Sequence, residues 1–209
     1  MLMHGSSRAV LVTSGRAASG LVRYAQRLLG GQRPEVVLTS ASPEAIAGLE
    51  SFRGITVHVP AGGGTTKQAK TSTIADGDTI DLGRDDAGRT VSLEVHALAG
   101  AHASAITLLD RTSRVLFAGD ALGTQGTPGL TLPTSAAQYR EALTAWRAST
   151  DGAYDTLYTS HNHQWVTRPG YVDSLEAATT SALVTSPVPG CTARTAGTGE
   201  LLAWVFESA

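Results

Sequence analysis

A chain of 209 residues is long enough for one well-buried core and short for two, and 42% hydrophobic with 16% charged residues is a globular rather than a disordered composition. A formal net charge of -2, with 16 Lys and Arg scattered along the chain, excludes the basic stripe that a nucleic-acid partner requires. A single Cys191 excludes an internal disulfide and a thiolate metal cluster, leaving His, Asp, Ser and backbone groups for any chemistry. The opening Met-Leu-Met-His-Gly-Ser-Ser-Arg lacks the regions of a signal peptide, and no apolar stretch approaches the roughly 20 residues that span a bilayer. The expectation is a single domain over residues 1–209, cytoplasmic and without membrane contact.

In chain order, Arg8 to Thr13 reads as a strand, followed by a turn and a helix carrying Leu21, Val22, Leu28 and Leu29 at helical spacing. The glycines at 30 and 31 stop it. Val36 to Thr39 is rich in β-formers, and Ser42-Pro43-Glu44 then reads as an N-cap with Pro at the first position of a helix from about Pro43 to Phe52. Ile55 to Val59 is another strand, closed by Pro60 and by glycines 62 to 64, which form a turn rather than a phosphate loop because no Gly-Lys-Ser/Thr follows. Four strands follow at Thr79 to Leu82, Thr90 to Leu98, Ile106 to Leu109 and Val115 to Ala118, with Asp110 to Ser113 as a hairpin turn. A Gly-rich loop from Gly119 to Pro133 leads into an amphipathic helix from Ala136 to Ala148, whose Tyr139, Leu143 and Trp146 mark a core-facing stripe. A short strand from Thr156 to Thr159, a His-rich loop, a helix from about Tyr171 to Leu183, a Pro/Gly loop and a final strand from Leu201 to Phe206 complete the chain.

Three segments carry a resemblance to a known family. Ala9-Val-Leu-Val-Thr-Ser-Gly15 looks like a strand that ends Leu-Ile-Asp-Thr-Gly. Val37-Leu-Thr-Ser-Ala-Ser-Pro-Glu-Ala-Ile-Ala-Gly-Leu49 looks like Leu-Thr-His-x-His-x-Asp-His-x-x-Gly. Ala99-Gly-Ala-His-Ala-Ser-Ala-Ile106, running on to Gly119-Asp120, looks like a Pro-Gly-His-Thr-x-x-Ser-Ile hairpin ending in Gly-Asp, and Ser160-His161-Asn162 stands where Gly-His-Gly is usual. These resemble the metallo-β-lactamase superfamily over nearly the whole chain from Val10 onward. The resemblance implies an αββα sandwich of two mixed β-sheets flanked by helices, here with a shortened N-terminal edge. Such an exposed edge suits a homodimer.

What the resemblance implies for chemistry is a hydrolase in which imidazoles and carboxylates hold one or two divalent metals with an open position for water. The ligand loop departs from that pattern: its four ligand positions are Ser40, Ser42, Glu44 and Ala45, of which only Glu44 has a coordinating group. The next ligand position falls on Ala101 in an ungapped match, and on His102 after a shift of one residue. Asp120 and His161 keep their places. Asp120 therefore reads either as a metal-bridging carboxylate or as a cap on its own loop, and His161 with His163 as a residual metal or acid/base site or as polar loop residues. Trp165, beside the His-rich loop, is a candidate wall of a substrate pocket. Ser40 and Ser42 as nucleophiles need a geometry that sequence does not supply; Ser42 is more simply a helix cap and Glu44 a first-turn residue favoured by the helix dipole.

Three functions follow. The first is a non-canonical or inactive hydrolase homologue without most of the ordinary dinuclear site, using the cleft for ligand binding or for metal-independent chemistry, with Asp120 and His161 as the candidate catalytic groups, Trp165 and His163 against a small-molecule ligand or substrate, and no cofactor. The second is a hydrolase holding one divalent metal, zinc first, through Asp120 and His161 with His102 or His163. The third is an interaction or scaffold subunit docking through the front edge.

Overall fold

The computed structural model describes residues 1–13, 20–47, 52–63, 70–100, 102–123, 130–132, 134–160, 170–184, 191–196 and 199–204. The first sheet has the strand order β1(Leu2–His4), β2(Ala9–Thr13), β3(Glu35–Leu38), β4(Thr56–Pro60), β5(Lys70–Ile74). β2 to β5 run parallel, and β1 pairs antiparallel with β2, Met3 opposite Val10. The second sheet has the order β11(Thr156–Thr159), β9(Val115–Gly119), β8(Ile106–Asp110), β7(Thr90–Ala97), β6(Thr79–Arg84). It is antiparallel except for β11, which runs parallel to β9.

Alternation along the strands builds the layers. Val10, Val12 and Val37 turn inward and meet Leu82, Leu93, Val95, Leu108 and Phe117 of the second sheet. Their neighbours Leu11, Val36 and Leu38 turn outward, onto Ala25 of α1(Leu21–Leu28), Ala45 of α2(Pro43–Ala47), Phe52 and Ile55. Both faces of β3 are covered, which is why it reads as an unbroken apolar run rather than an alternating one. On the far side, Leu109, Leu116 and Leu157 of the second sheet meet Tyr139, Leu143 and Trp146 of α3(Ala136–Thr150) and Tyr171 and Leu175 of α4(Tyr171–Val184). The result is the expected order of helices, sheet, sheet, helices.

α3 has a local reason to begin where it does. The Ser135 hydroxyl accepts from the Gln138 amide while the Gln138 side chain accepts from the Ser135 amide, a reciprocal capping box. Its Trp146 is then buried in the core, with the indole N–H donating to the Thr107 hydroxyl at 2.9 Å. Leu143 and Trp146 are core residues, as expected.

Several elements differ from the sequence reading. The first residues form β1, and Gly5 to Arg8 then cross to the second sheet, where the Ser6 amide donates to Arg84 and the Ser7 amide to Leu82. β1 therefore covers the edge of β2 that was expected to be exposed. β5 was not among the expected strands: Lys70-Thr-Ser-Thr-Ile74 has four polar residues in five, and it is an edge strand with mostly exposed side chains. α2 is described over Pro43–Ala47, and residues 48–51 of the helix expected to reach Phe52 lie outside the described residues. A third, three-stranded sheet, β10(Leu130–Thr131), β13(Gly199–Trp204), β12(Cys191–Ala196), lies against α4, where a Pro/Gly loop and one later strand were expected. Short strands without strong alternation leave little local signal. Among the described residues no helix is long and apolar enough to cross a membrane.

Leu143 is fully buried between α3 and the second sheet. Leu143→Ala is expected to cost about 2 to 5 kcal/mol from lost transfer energy and the cavity left behind. Urea denaturation followed by circular dichroism measures this directly.

Candidate functional site

The carboxyl ends of β3 and β9 and the turn between β7 and β8 meet at one end of the sandwich, where open α/β sheets place their ligands. Two glycines permit that approach. Gly119 has a φ of +50°, and a Cβ there would lie 2.2 Å from Thr39 Oγ1. A Cβ on Gly100 would lie 2.0 Å from the Ala121 carbonyl oxygen. Only a residue without a side chain fits either place.

Backbone bonds close the assembly. The Ile106 amide donates to the Thr39 carbonyl at 2.8 Å, joining one sheet to the other, and the Ser160 amide donates to Gly119 at 2.9 Å. From the helical side, the buried Tyr139 hydroxyl donates to the Ala121 carbonyl and the buried Tyr171 hydroxyl to the Leu122 carbonyl, each at 2.8 Å. Two helices thus hold the turn that carries Asp120.

Within this frame, Ser40 is fully buried, and its hydroxyl donates to Asp120 Oδ2 over a long 3.4 Å. Asp120 is half-buried. The Ser42 hydroxyl accepts from the Ala45 amide at 3.2 Å and caps α2, as expected for it. Ala45 is fully buried in the outer core. His102 is half-buried beside Ser104; the Ser104 amide donates to its Nδ1 at 3.2 Å, and the Ser104 hydroxyl lies 2.8 Å from the same nitrogen. The Ser104 hydroxyl oxygen in turn accepts from the Ala41 amide at 2.9 Å. Ser40 and Asp120 meet directly, and His102 is tied to the neighbouring Ala41 through Ser104. The expectation that Asp120 caps its own loop has a different outcome here: the carboxylate faces Ser40, while the loop is held by the Asp120 carbonyl, which accepts from Gly123, and by the two tyrosines. His161, His163, Trp165 and Ala101 lie outside the described residues, as does the side chain of Glu44.

A metal site needs several lone-pair donors converging on one point. Among the described residues no group of three or more His, Cys, Asp or Glu side chains could hold a metal ion. Of the described side chains in the loop after β3, Ser40 and Ser42 carry hydroxyls already bonded within the protein, and Ala45 offers no donor. The described residues therefore do not fit a pair of metals.

Sequence reasoning passed over Ser104, Tyr139 as a hydroxyl donor, and Tyr171. A His and a Ser two residues apart was the available signal for Ser104, since short side chains in turns bond back to nearby amides. Nothing local marks the reach of a phenol across the core.

Neither a protein-family model nor a curated protein matches this sequence. Solved structures do. A metallo-β-lactamase from Pontibacter korlensis superposes with a TM-score of 0.63 at 16% identity, covering 86% of this chain and 85% of that one. The metallo-β-lactamase FIM-1 from Pseudomonas aeruginosa, in its mono-zinc form, gives 0.61 at 15% identity over 87% and 82%. ETHE1 from Myxococcus xanthus gives 0.58 at 18% identity over 90% and 86%. The chain has the metallo-β-lactamase fold.

Burial holds the Tyr139 and Tyr171 phenols well above the ordinary tyrosine range, so both remain donors where an unfolded tyrosine ionises. Because the folded value is raised, this contribution is complete below about pH 10 and is lost as pH climbs beyond it, since the unfolded chain releases protons that the folded chain keeps. Urea midpoints are expected to fall between about pH 9.5 and 11, less steeply in Tyr139→Phe and Tyr171→Phe. At neutral pH each variant strands a buried carbonyl and is expected to lose about 1 to 3 kcal/mol.

Proposed function

We propose that this chain is a metallo-β-lactamase-fold protein that binds a small molecule in its cleft without a dinuclear metal site. One observation carries the reading: the loop that supplies metal ligands in the family it resembles is committed here to other work. Ser40 bonds Asp120, Ser42 caps α2 and Ala45 fills the core. Losing three imidazoles from one loop removes donors that no hydroxyl replaces, because a neutral hydroxyl is a poor ligand for zinc beside imidazole or carboxylate.

The groups brought to this end of the sandwich are a half-buried carboxylate, Asp120, and the half-buried imidazole of His102; His161, His163 and Trp165 are candidates from the sequence and lie outside the described residues. A carboxylate accepts hydrogen bonds and an imidazole donates or accepts, so the set suits a polar ligand. A second reading, one zinc held through Asp120 and His161 with His102 or His163, draws support from the long 3.4 Å contact of Asp120, which commits its carboxylate only weakly to Ser40.

Elemental analysis separates the two. Protein purified without chelator is expected to carry zinc, iron and manganese far below stoichiometry, unchanged in Asp120→Ala. One equivalent of metal that disappears in Asp120→Ala would overturn the first reading and establish the second.

A further inference from the structure

The turn between β7 and β8 treats the His102 ring in an unusual way. The Ser104 amide N–H points at Nδ1 from 3.2 Å, and an amide cannot exchange its role as a donor. Nδ1 must therefore present its lone pair. The Ser104 hydroxyl, 2.8 Å from the same nitrogen, already accepts from the Ala41 amide, which leaves its own proton free to point at Nδ1 as well. Two donors converge on one ring nitrogen. In the neutral ring the proton then sits on Nε2.

A histidine that ligates a metal is arranged the opposite way: its second nitrogen donates N–H to a carboxylate or carbonyl, which frees the ligating nitrogen's lone pair. In this chain the clamp sits on Nδ1 and leaves Nε2 with a hydrogen. No described residue accepts from it.

We propose that His102 works as a fixed hydrogen-bond donor through Nε2, directed at an uncharged acceptor oxygen of the cleft ligand, such as the carbonyl of an amide or ester. The inference rests on the reading of the cleft as a small-molecule site and deepens it by naming the group recognised. An anionic oxygen is disfavoured because Asp120 belongs to the same assembly: it bonds Ser40, and Ser104 bonds the adjacent Ala41. A second carboxylate brought there repels the first. Ser104 is a positioning residue, acting on the ligand only through the ring it orients.

Long-range proton–nitrogen spectra of 15N-labelled full-length protein test this, with the His102 ring assigned by its disappearance in His102→Gln. At neutral pH the expected pattern is a bare Nδ1 and a protonated Nε2; the reverse tautomer overturns the proposal. Acetamide and acetate then serve as probes. Acetamide is expected to shift the Nε2–H resonance at millimolar concentration and acetate to leave it in place, whereas an equal response to both, or none to acetamide, overturns the uncharged-acceptor assignment. One equivalent of zinc is expected to leave the ring resonances unmoved, and a shift centred on Nε2 overturns the donor role. The two readings fail separately: bound metal with the Nε2–H tautomer intact defeats only the metal-free cleft, and the reverse tautomer in metal-free protein defeats only this inference.

Discussion

The hydrogen bond from the Ile106 amide to the Thr39 carbonyl is where the two sheets become one site. β3 is the middle strand of the first sheet and β8 the middle strand of the second. Tying the end of one to the start of the other brings the residues just after β3 against those just before β8. Ser40 and Ala41 thus become neighbours of His102 and Ser104, though more than sixty positions separate them in sequence. β9, paired with β8, arrives at the same place and carries Asp120. Gly119 and Gly100 let these chain segments approach closely enough for the bond to form.

That convergence also explains how the hydroxyl-bearing loop after β3 is held. A fully buried hydroxyl at Ser40 needs a partner, and Asp120 is the acceptor that the fold brings to it. The Ser42 hydroxyl satisfies an amide at the start of α2, and Ala45 turns into the apolar core behind the first sheet. The Ser40 and Ser42 hydroxyls are thus both bonded within the protein. The Thr39 hydroxyl, by contrast, is buried against Gly119 without a hydrogen-bond partner, a cost the close approach of the strands imposes.

The cleft is supported from behind as well as from its rim. Tyr139 and Tyr171 come from different helices and bond consecutive carbonyls of the Asp120 turn. A turn held at two successive carbonyls has little freedom to reorient, so the Asp120 carboxylate is held in place with it. The packing of α3 and α4 on the second sheet is therefore coupled to the cleft through two phenols rather than through the chain itself.

The sequence by itself determined most of the strands, while the layering was what the family resemblance implied. The runs at Ala9–Thr13, Glu35–Leu38 and Ile106–Asp110, and the Tyr139, Leu143, Trp146 stripe, are local patterns whose period is set by side-chain direction. It also determined that Ser40, Ser42 and Ala45, rather than imidazoles, stand in the loop after β3, because residue identity is itself the observation. β1, β5, β10 and β12 were not legible: they are short or polar and become strands by pairing with neighbours distant in the chain. Which groups meet at the cleft was equally a tertiary decision. The contact of Ser40 with Asp120, the double clamp on His102 Nδ1 and the tyrosine bonds to the Asp120 turn depend on distances of a few tenths of an ångström across the fold, and no local pattern of residues encodes such distances.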